Sequence, residues 1–405
     1  MLMLACGLAT PGRASHHTAA ALGRTTHYPL GRLSPGQTGP WGELSLTTLI
    51  LQPSPDSFPA SRLTSQMPRW YFARRPEGDL EHLMQEAGLS ANQVAQLMAT
   101  HSTTNGETSL VMQPPEALLL ELDAGVRGRL YAQLEPGQGD LLYQYPLHFP
   151  ADFANAWYRS APLSADTLAL LDRLVYPRGE MLYFSDLRFL NTKITSASER
   201  RHLTATLLRQ PSLLVRVTVS SAADTEAAVA YWGQGRRNDQ VRPLLEALTR
   251  EGANQSMDVT PLLPPLAQKH LYTYPHDGRG KFLDCRWTAL NFLADVPDDR
   301  FLQDDEIFRT LQDDYASVPE HFALGDIILL RNRAGQVTYM CNYVADNIVF
   351  TKNGGDPSQP WMLSTLHDVI NFYTINGDIP AYLVLRRKSS PAVFPLDACG
   401  TPPLT

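Results

Sequence analysis

The 405-residue sequence has few cysteines and no long apolar run. Its four cysteines are Cys6, Cys285, Cys341 and Cys399, which form no CxxC pair and show no metal-site spacing. We therefore do not expect the dense disulfide framework that stabilises small secreted domains. No stretch approaches the roughly eighteen consecutive apolar residues of a transmembrane helix, so no membrane span is expected.

The chain also lacks a surplus of basic residues. Its 34 Lys and Arg stand against 41 Asp and Glu, which gives a formal net charge of −7. A protein that holds nucleic acid in a broad positive field needs the opposite balance, so we expect no nucleic-acid partner. We also expect no metal and no cofactor. What remains is a globular composition, 43% hydrophobic and 19% charged, long enough for two or three domains.

The N-terminal 66 residues are rich in Gly, Pro, Ser and Thr, which predicts a leader and a disordered segment over residues 1–66. The run LSLTTLILQ is the single strand candidate within them. The opening MLMLACGLATPGRAS has the apolar run and small residues that end a secretory leader, although no basic residues precede them. This favours an exported or cell-envelope protein over a cytoplasmic one.

Residues 67–255 predict an α+β domain of unknown fold and function. Ser90 with Gln93, and Ser196 with Glu199, have the spacing of helix capping boxes, while LLVRVTV alternates as a strand does. ALLLELDAG and GRLYAQL predict two strands joined by a turn at Asp123. Four prolines and two glycines within residues 256–280 then predict a linker.

The C-terminal region, residues 281–390, begins with a helix at Cys285. Strands are predicted from Ile327, over residues 337–345 and over residues 348–354, and they form a meander. A helix over residues 363–372, a last strand over residues 381–388 and a disordered tail over residues 391–405 follow. The fold class is therefore α+β throughout, and this region is a helix followed by an antiparallel sheet.

Four short segments resemble the NlpC/P60 family of papain-like cysteine peptidases and amidases, over about the last third of the chain. Asp284-Cys285 before a helix is similar to the family's Asp-Cys nucleophile motif, and Leu324-Gly325-Asp326-Ile327 to the start of its first strand. Residues 339–343 occupy the place of the strand that carries the family's histidine, and residues 348–351 that of the next strand. The resemblance implies a papain-like domain that acts on a peptide or cell-wall fragment.

The resemblance also implies site residues: Cys285 as the nucleophile, Tyr339 at the histidine position and Thr351 at the third polar position. A helix N-terminus suits a thiolate, because its unsatisfied amides lower a thiol pKa. The base, however, should titrate near neutral pH, as histidine does, whereas a phenol titrates near about pH 10. The nearest histidines, His321 and His367, lie outside the motif strands.

Three hypotheses follow. In the first, Cys285 attacks a small amide, plausibly of a cell-wall peptide, with an unidentified base acting where Tyr339 stands. In the second, the domain keeps the papain-like fold as a non-catalytic binding or scaffold module. The missing base favours this second hypothesis, because general acid–base catalysis contributes about 10²–10⁴ in rate. In the third, the order of elements is a coincidence of an unrelated α+β domain. The sequence carries no signal for oligomeric state.

Overall fold

The structure is a computed structural model that describes residues 28–57, 64–103, 109–135, 142–143, 146–250, 255–275, 283–319, 321–355, 359–374 and 379–388. The leader predicted before residue 28 and the tail predicted over residues 391–405 lie outside these ranges. Helices and antiparallel strand pairs make up the described chain, which is therefore α+β, as expected. Within these ranges no helix is long and apolar enough to cross a lipid bilayer.

The described strands are β1 (Ser34–Gly39), β2 (Gly42–Leu51), β3 (Trp70–Ala73), β4 (Ser102–Thr103), β5 (Ser109–Met112), β6 (Leu147–Pro150), β7 (Tyr176–Arg178), β8 (Met181–Phe184), β9 (Gln210–Thr218), β10 (Met257–Asp258), β11 (Tyr315–Ser317), β12 (Ile327–Arg331), β13 (Val337–Ala345), β14 (Ile348–Lys352), β15 (Trp361–Thr365) and β16 (Ala381–Arg387).

The described α-helices are α1 (Glu77–Ala87), α2 (Ala91–Met98), α3 (Glu116–Glu121), α4 (Ala124–Tyr131), α5 (Ala165–Leu174), α6 (Leu187–Lys193), α7 (Ala197–Leu207), α8 (Ala222–Gly233), α9 (Asn238–Leu248), α10 (Pro265–His270), α11 (Cys285–Asn291), α12 (Asp304–Asp314) and α13 (Leu366–Phe372).

The chain divides into two compact units. One joins Met1–Leu51 to Pro211–Thr405, and the other is Gln52–Gln210. This division differs from the predicted boundaries at residues 66, 255 and 280. The first unit holds a four-stranded sheet in the order β1-β2-β9-β10 and a six-stranded sheet in the order β11-β16-β12-β13-β14-β15. The second holds two three-stranded sheets, β3-β5-β4 and β6-β8-β7.

Two predicted irregular segments are ordered where the structure describes them. The strand candidate LSLTTLILQ is confirmed as part of β2, whose Leu44 and Leu46 are buried, whereas the prediction of disorder over residues 1–66 was wrong for β1, which pairs antiparallel with β2. The predicted linker over residues 256–280 supplies Val259, Leu262 and Leu266 to the core. Pro265 in this segment is the first residue of α10 and does not interrupt the helix, because the first position of a helix needs no amide hydrogen.

Residues 116–131 form helices α3 and α4, so the hairpin predicted there was wrong. The Asp123 carboxylate accepts hydrogen bonds from the amides of Gly125 (2.8 Å) and Val126 (3.4 Å), which caps α4. An Asp followed by small residues suits a helix start as well as a turn, and side-chain burial decided between them. The helix predicted over residues 363–372 begins only at Leu366, because residues 361–365 form β15.

The two capping boxes had different outcomes. At α2 the box is complete, with Gln93 N donating to Ser90 Oγ (3.3 Å) and Ser90 N to Gln93 Oε1 (2.9 Å). At α7, Ser196 Oγ accepts from Glu199 N (3.3 Å), but the Glu199 carboxylate instead accepts from Ser164 N (3.0 Å). A tertiary partner therefore replaced half of the predicted box.

The six-stranded sheet has a packed layer on each face. Side chains alternate along β13, so Met340 and Val344 enter one core and Tyr339 and Cys341 the other. Helix α11 lies against β13 and β14. Its Trp287 and Leu290 join the core of Met340, whereas Leu366, Val369 and Ile370 of α13 join that of Tyr339.

The outer edge of β15 is covered by the chain that precedes the helix at Cys285. Ser212 Oγ donates to Leu363 O (3.0 Å) and accepts from Leu363 N (3.2 Å). Tyr272 N donates to Trp361 O (2.8 Å), and Trp361 N donates to Thr273 O (3.0 Å). These bonds attach Ser212, Tyr272 and Thr273 to the edge of the six-stranded sheet.

Candidate active site

Cys285 is the first residue of α11, as the sequence predicts. Asp284 is the N-cap, and its carboxylate accepts hydrogen bonds from the amides of Arg286 (3.0 Å) and Trp287 (2.9 Å). The same carboxylate pairs with the Arg286 guanidinium, at 2.7 Å. The cap therefore satisfies two of the amides that would otherwise stabilise a thiolate at this helix end.

The Cys285 thiol meets the sheet where two strands separate. The pairing of β13 with β14 runs from Ala345–Ile348 to Asn342–Phe350, and beyond it β14 continues in register with β15 alone. The backbone amide of Met340, on the stretch of β13 that pairs with β12 but not with β14, donates a hydrogen bond to the Cys285 sulfur. Asn342 Nδ2 donates to Ala289 O (3.0 Å) and so fixes α11 on the strand.

Apolar side chains surround the thiol, which is only 8% exposed. Together they form the Cys285 cluster, which consists of Cys285, Ile328, Leu330, Tyr339, Cys341, Tyr343, Val349, Leu366, Val369, Ile370, Tyr382 and Val384. Two half-buried aromatic residues, Phe322 and Tyr373, pack against it.

The structure brings Tyr339 to Cys285, as the motif spacing predicts. Tyr339 is 1% exposed, and its ring stacks on Tyr373 with centroids 4.1 Å apart. Its hydroxyl donates to Asn353 Oδ1, at 3.0 Å. Burial raises the pKa of Tyr339 well above its usual value, and the nearby charges of Tyr373, Cys341 and Cys285 raise it further. This phenol stays protonated at neutral pH and cannot take a proton from the thiol.

Thr351 is buried on β14, and its Oγ1 has no hydrogen-bond partner in the described part of the chain. The polar group that engages the Tyr339 hydroxyl is instead Asn353, two residues further on. The sequence indicated residues 351–354 as a strand end and turn that could carry polar site contacts, but it did not single out Asn353, and it missed Tyr373. The alternation of a strand could have indicated Asn353, since it follows Thr351 at the spacing of one strand face.

The buried lysine next to Thr351 turns towards other groups. Lys352 Nζ donates to Gly354 O (2.7 Å) and lies 5.7 Å from the centroid of the Trp361 ring. The side chain has no exposed surface. It is close enough for its charge to lower the pKa of Cys285 slightly against larger opposing effects.

Burial raises the pKa of the Cys285 thiol to about 12, and the carboxylate of Asp284 acts in the same direction. The Met340 amide, Arg286 and Lys352 oppose this shift without reversing it. Neither His321 nor His367 is among these charged neighbours. Burial likewise raises the pKa of Cys341, with a contribution from Cys285. Both shifts favour the protonated thiol over the thiolate, which is the reactive form.

Comparison with protein-family models, with curated proteins and with solved structures gave no match to this chain. Across the described ranges, no three His, Cys, Asp or Glu side chains form a group that could hold a metal ion.

Proposed function

We propose that residues 281–390 are an NlpC/P60-like, papain-like domain without hydrolase activity, which serves as a binding or scaffold module. Its ligand would be a peptide or a cell-wall fragment. The resemblance of its motifs supports this ancestry, as does the placement of Cys285 at a helix start beside β13.

One observation carries the loss of activity: a phenol fixed by Asn353 stands beside a buried, protonated thiol. A cysteine hydrolase needs a base that takes the thiol proton and later protonates the leaving amine. Tyr339 keeps its own proton at neutral pH, because burial raises its pKa, so it cannot accept the proton of the thiol. The carboxylate at the helix start, Asp284, is occupied as a cap and disfavours a thiolate beside it.

The effect on the thiol is large. A thiol at its ordinary pKa of 9.0 is ionised to about 1 part in 10² at pH 7, whereas one with a pKa of about 12 is ionised to about 1 part in 10⁵. Because the thiolate is the reacting species, the folded protein should react about 10³-fold more slowly than the unfolded chain.

Iodoacetamide labelling at neutral pH, mapped by mass spectrometry in folded and urea-unfolded protein, tests this proposal. We expect Cys285 to be labelled far more slowly in the folded protein, and we expect no hydrolysis of peptide amides. A Cys285→Ser variant identifies the signal of this thiol. Selective labelling of folded Cys285 at about pH 5–6, faster than in the unfolded chain, would instead reveal an activated thiolate and support the active hydrolase.

A further inference from the structure

Tyr373 is the outer ring of a stacked aromatic pair beside Cys285. Its ring lies 4.1 Å from that of Tyr339, with the planes inclined by 29°. Tyr339 is 1% exposed, whereas Tyr373 is half-buried. The ring that keeps contact with solvent is the outer one, so Tyr373 stands between Tyr339 and the water.

The same ring reaches the start of α11. Tyr373 packs against the Cys285 cluster. Burial raises its pKa well above the usual value, and the nearby charges of Cys285, Cys341 and Asp284 add to the shift. Tyr373 therefore packs against the cluster that contains the thiol, as well as against Tyr339.

A packed helix sets the position of Tyr373. Thr365 Oγ1 caps α13 by accepting from Asp368 N (3.0 Å), and Val369 and Ile370 are buried. Tyr373 N then donates to Val369 O (3.2 Å) as the helix ends. The ring is thus presented to the site by the same helix that packs the sheet.

From this geometry we infer that Tyr373 is an occluding residue, whose ring closes the Cys285 site from the solvent side. A peptide reaches Cys285 only when this ring moves away. The inference rests on the proposed function, because it concerns the shielding of the same unreactive thiol. It adds that the Tyr373 side chain, and not the core as a whole, provides most of the protection of the Cys285 thiol from solvent.

Removing the ring tests the inference. In Tyr373→Ala we expect iodoacetamide to label Cys285 at least about tenfold faster than in the wild type, since protection falls when a covering group is lost. Tyr373→Phe keeps the ring and should keep the wild-type rate. Tyr373→Leu retains apolar volume without the stack and should fall between them, which preserves the test if the alanine variant folds poorly.

Phe322→Ala is the matched control. Phe322 is also a half-buried ring against the Cys285 cluster, and its ring centroid lies 5.4 Å from that of Tyr343. The Phe322→Ala substitution should leave the rate of Cys285 labelling unchanged. Cys341 is the internal control, because general loosening would expose both thiols.

Two results would overturn the inference: wild-type labelling in Tyr373→Ala and Tyr373→Leu, or equal acceleration at Cys285 and Cys341. Both of these results would be measured in the Tyr373 variants. Failure of the proposed function would instead appear in the wild type, as an activated thiol or as peptide hydrolysis.

Discussion

A buried ion pair holds the second unit, Gln52–Gln210, together. The side chains of Arg127 and Asp186 have no exposed surface, and Nη1 lies 3.2 Å from Oδ2. Nη1 also donates to Tyr131 Oη (2.8 Å), and Nη2 donates to Leu119 O (2.6 Å). Asp186 accepts from the hydroxyls of Tyr131 (2.9 Å) and Tyr143 (2.8 Å). This network links α4, the residue before α6 and the segment at Tyr143.

Arg127→Met should destabilise this unit by about 3–5 kcal/mol at pH 7, because it leaves the Asp186 carboxylate buried and without its counter-charge. Burial already raises the pKa of Asp186 above 3.8, against the opposing effects of Arg127, Tyr143 and Tyr131. Without Arg127 the pKa rises further. A carboxyl group whose folded pKa is raised contributes most stability in acid and loses it as pH rises. The loss should therefore be clearly smaller at about pH 5 than at pH 7.

Urea-dependent hydrogen exchange of α4 amides measures this change within the unit, without assuming that the whole chain unfolds in one step. Arg173→Met, at an exposed position of α5, is the control and should cost less than about 0.5 kcal/mol. Adding Asp186→Asn to Arg127→Met should recover part of the loss, since no charge is then buried. A loss below about 1 kcal/mol, or one equal at both pH values, would refute this account.

Three further predictions concern the first unit. Asp284→Ala should lower the free energy of unfolding by about 1 kcal/mol through loss of the cap, and it should also lower the Cys285 pKa. Asp284→Asn should lower that pKa but keep the cap. Urea unfolding measures the loss of the cap, and the pH profile of thiol labelling measures the pKa. Between about pH 9 and 12 the contribution of Cys285 should lower the unfolding free energy by up to about 4 kcal/mol, because this thiol ionises at lower pH in the unfolded chain than in the folded protein. A Cys285→Ala variant whose unfolding free energy declines equally steeply would contradict this. Ser212→Ala should cost about 1–3 kcal/mol by unpairing both backbone groups of Leu363 at the β15 edge, with exposed Ser220→Ala as the neutral control in thermal unfolding.

Local signals predicted the elements that depend on neighbouring residues. The meander of β12, β13 and β14 follows from apolar runs separated by tight turns, and the capping box at Ser90 from its spacing. The same reasoning placed Cys285 at the start of α11, whereas the position expected for Tyr339 came only from the resemblance to a known family. It misjudged Asp123, where a cap and a turn share the same residue types.

The sequence by itself determined the α+β class and the helix that begins at Cys285, because these depend on residues close together in the chain. Only the tertiary structure decided that Ser212 binds β15, that Arg127 pairs with Asp186, and that Tyr373 packs against the Cys285 cluster. Such contacts join residues far apart in sequence, and burial selects them from many chemically equivalent partners. Burial also set the protonation of Cys285, since the pKa of a thiol depends on the solvent it loses on folding.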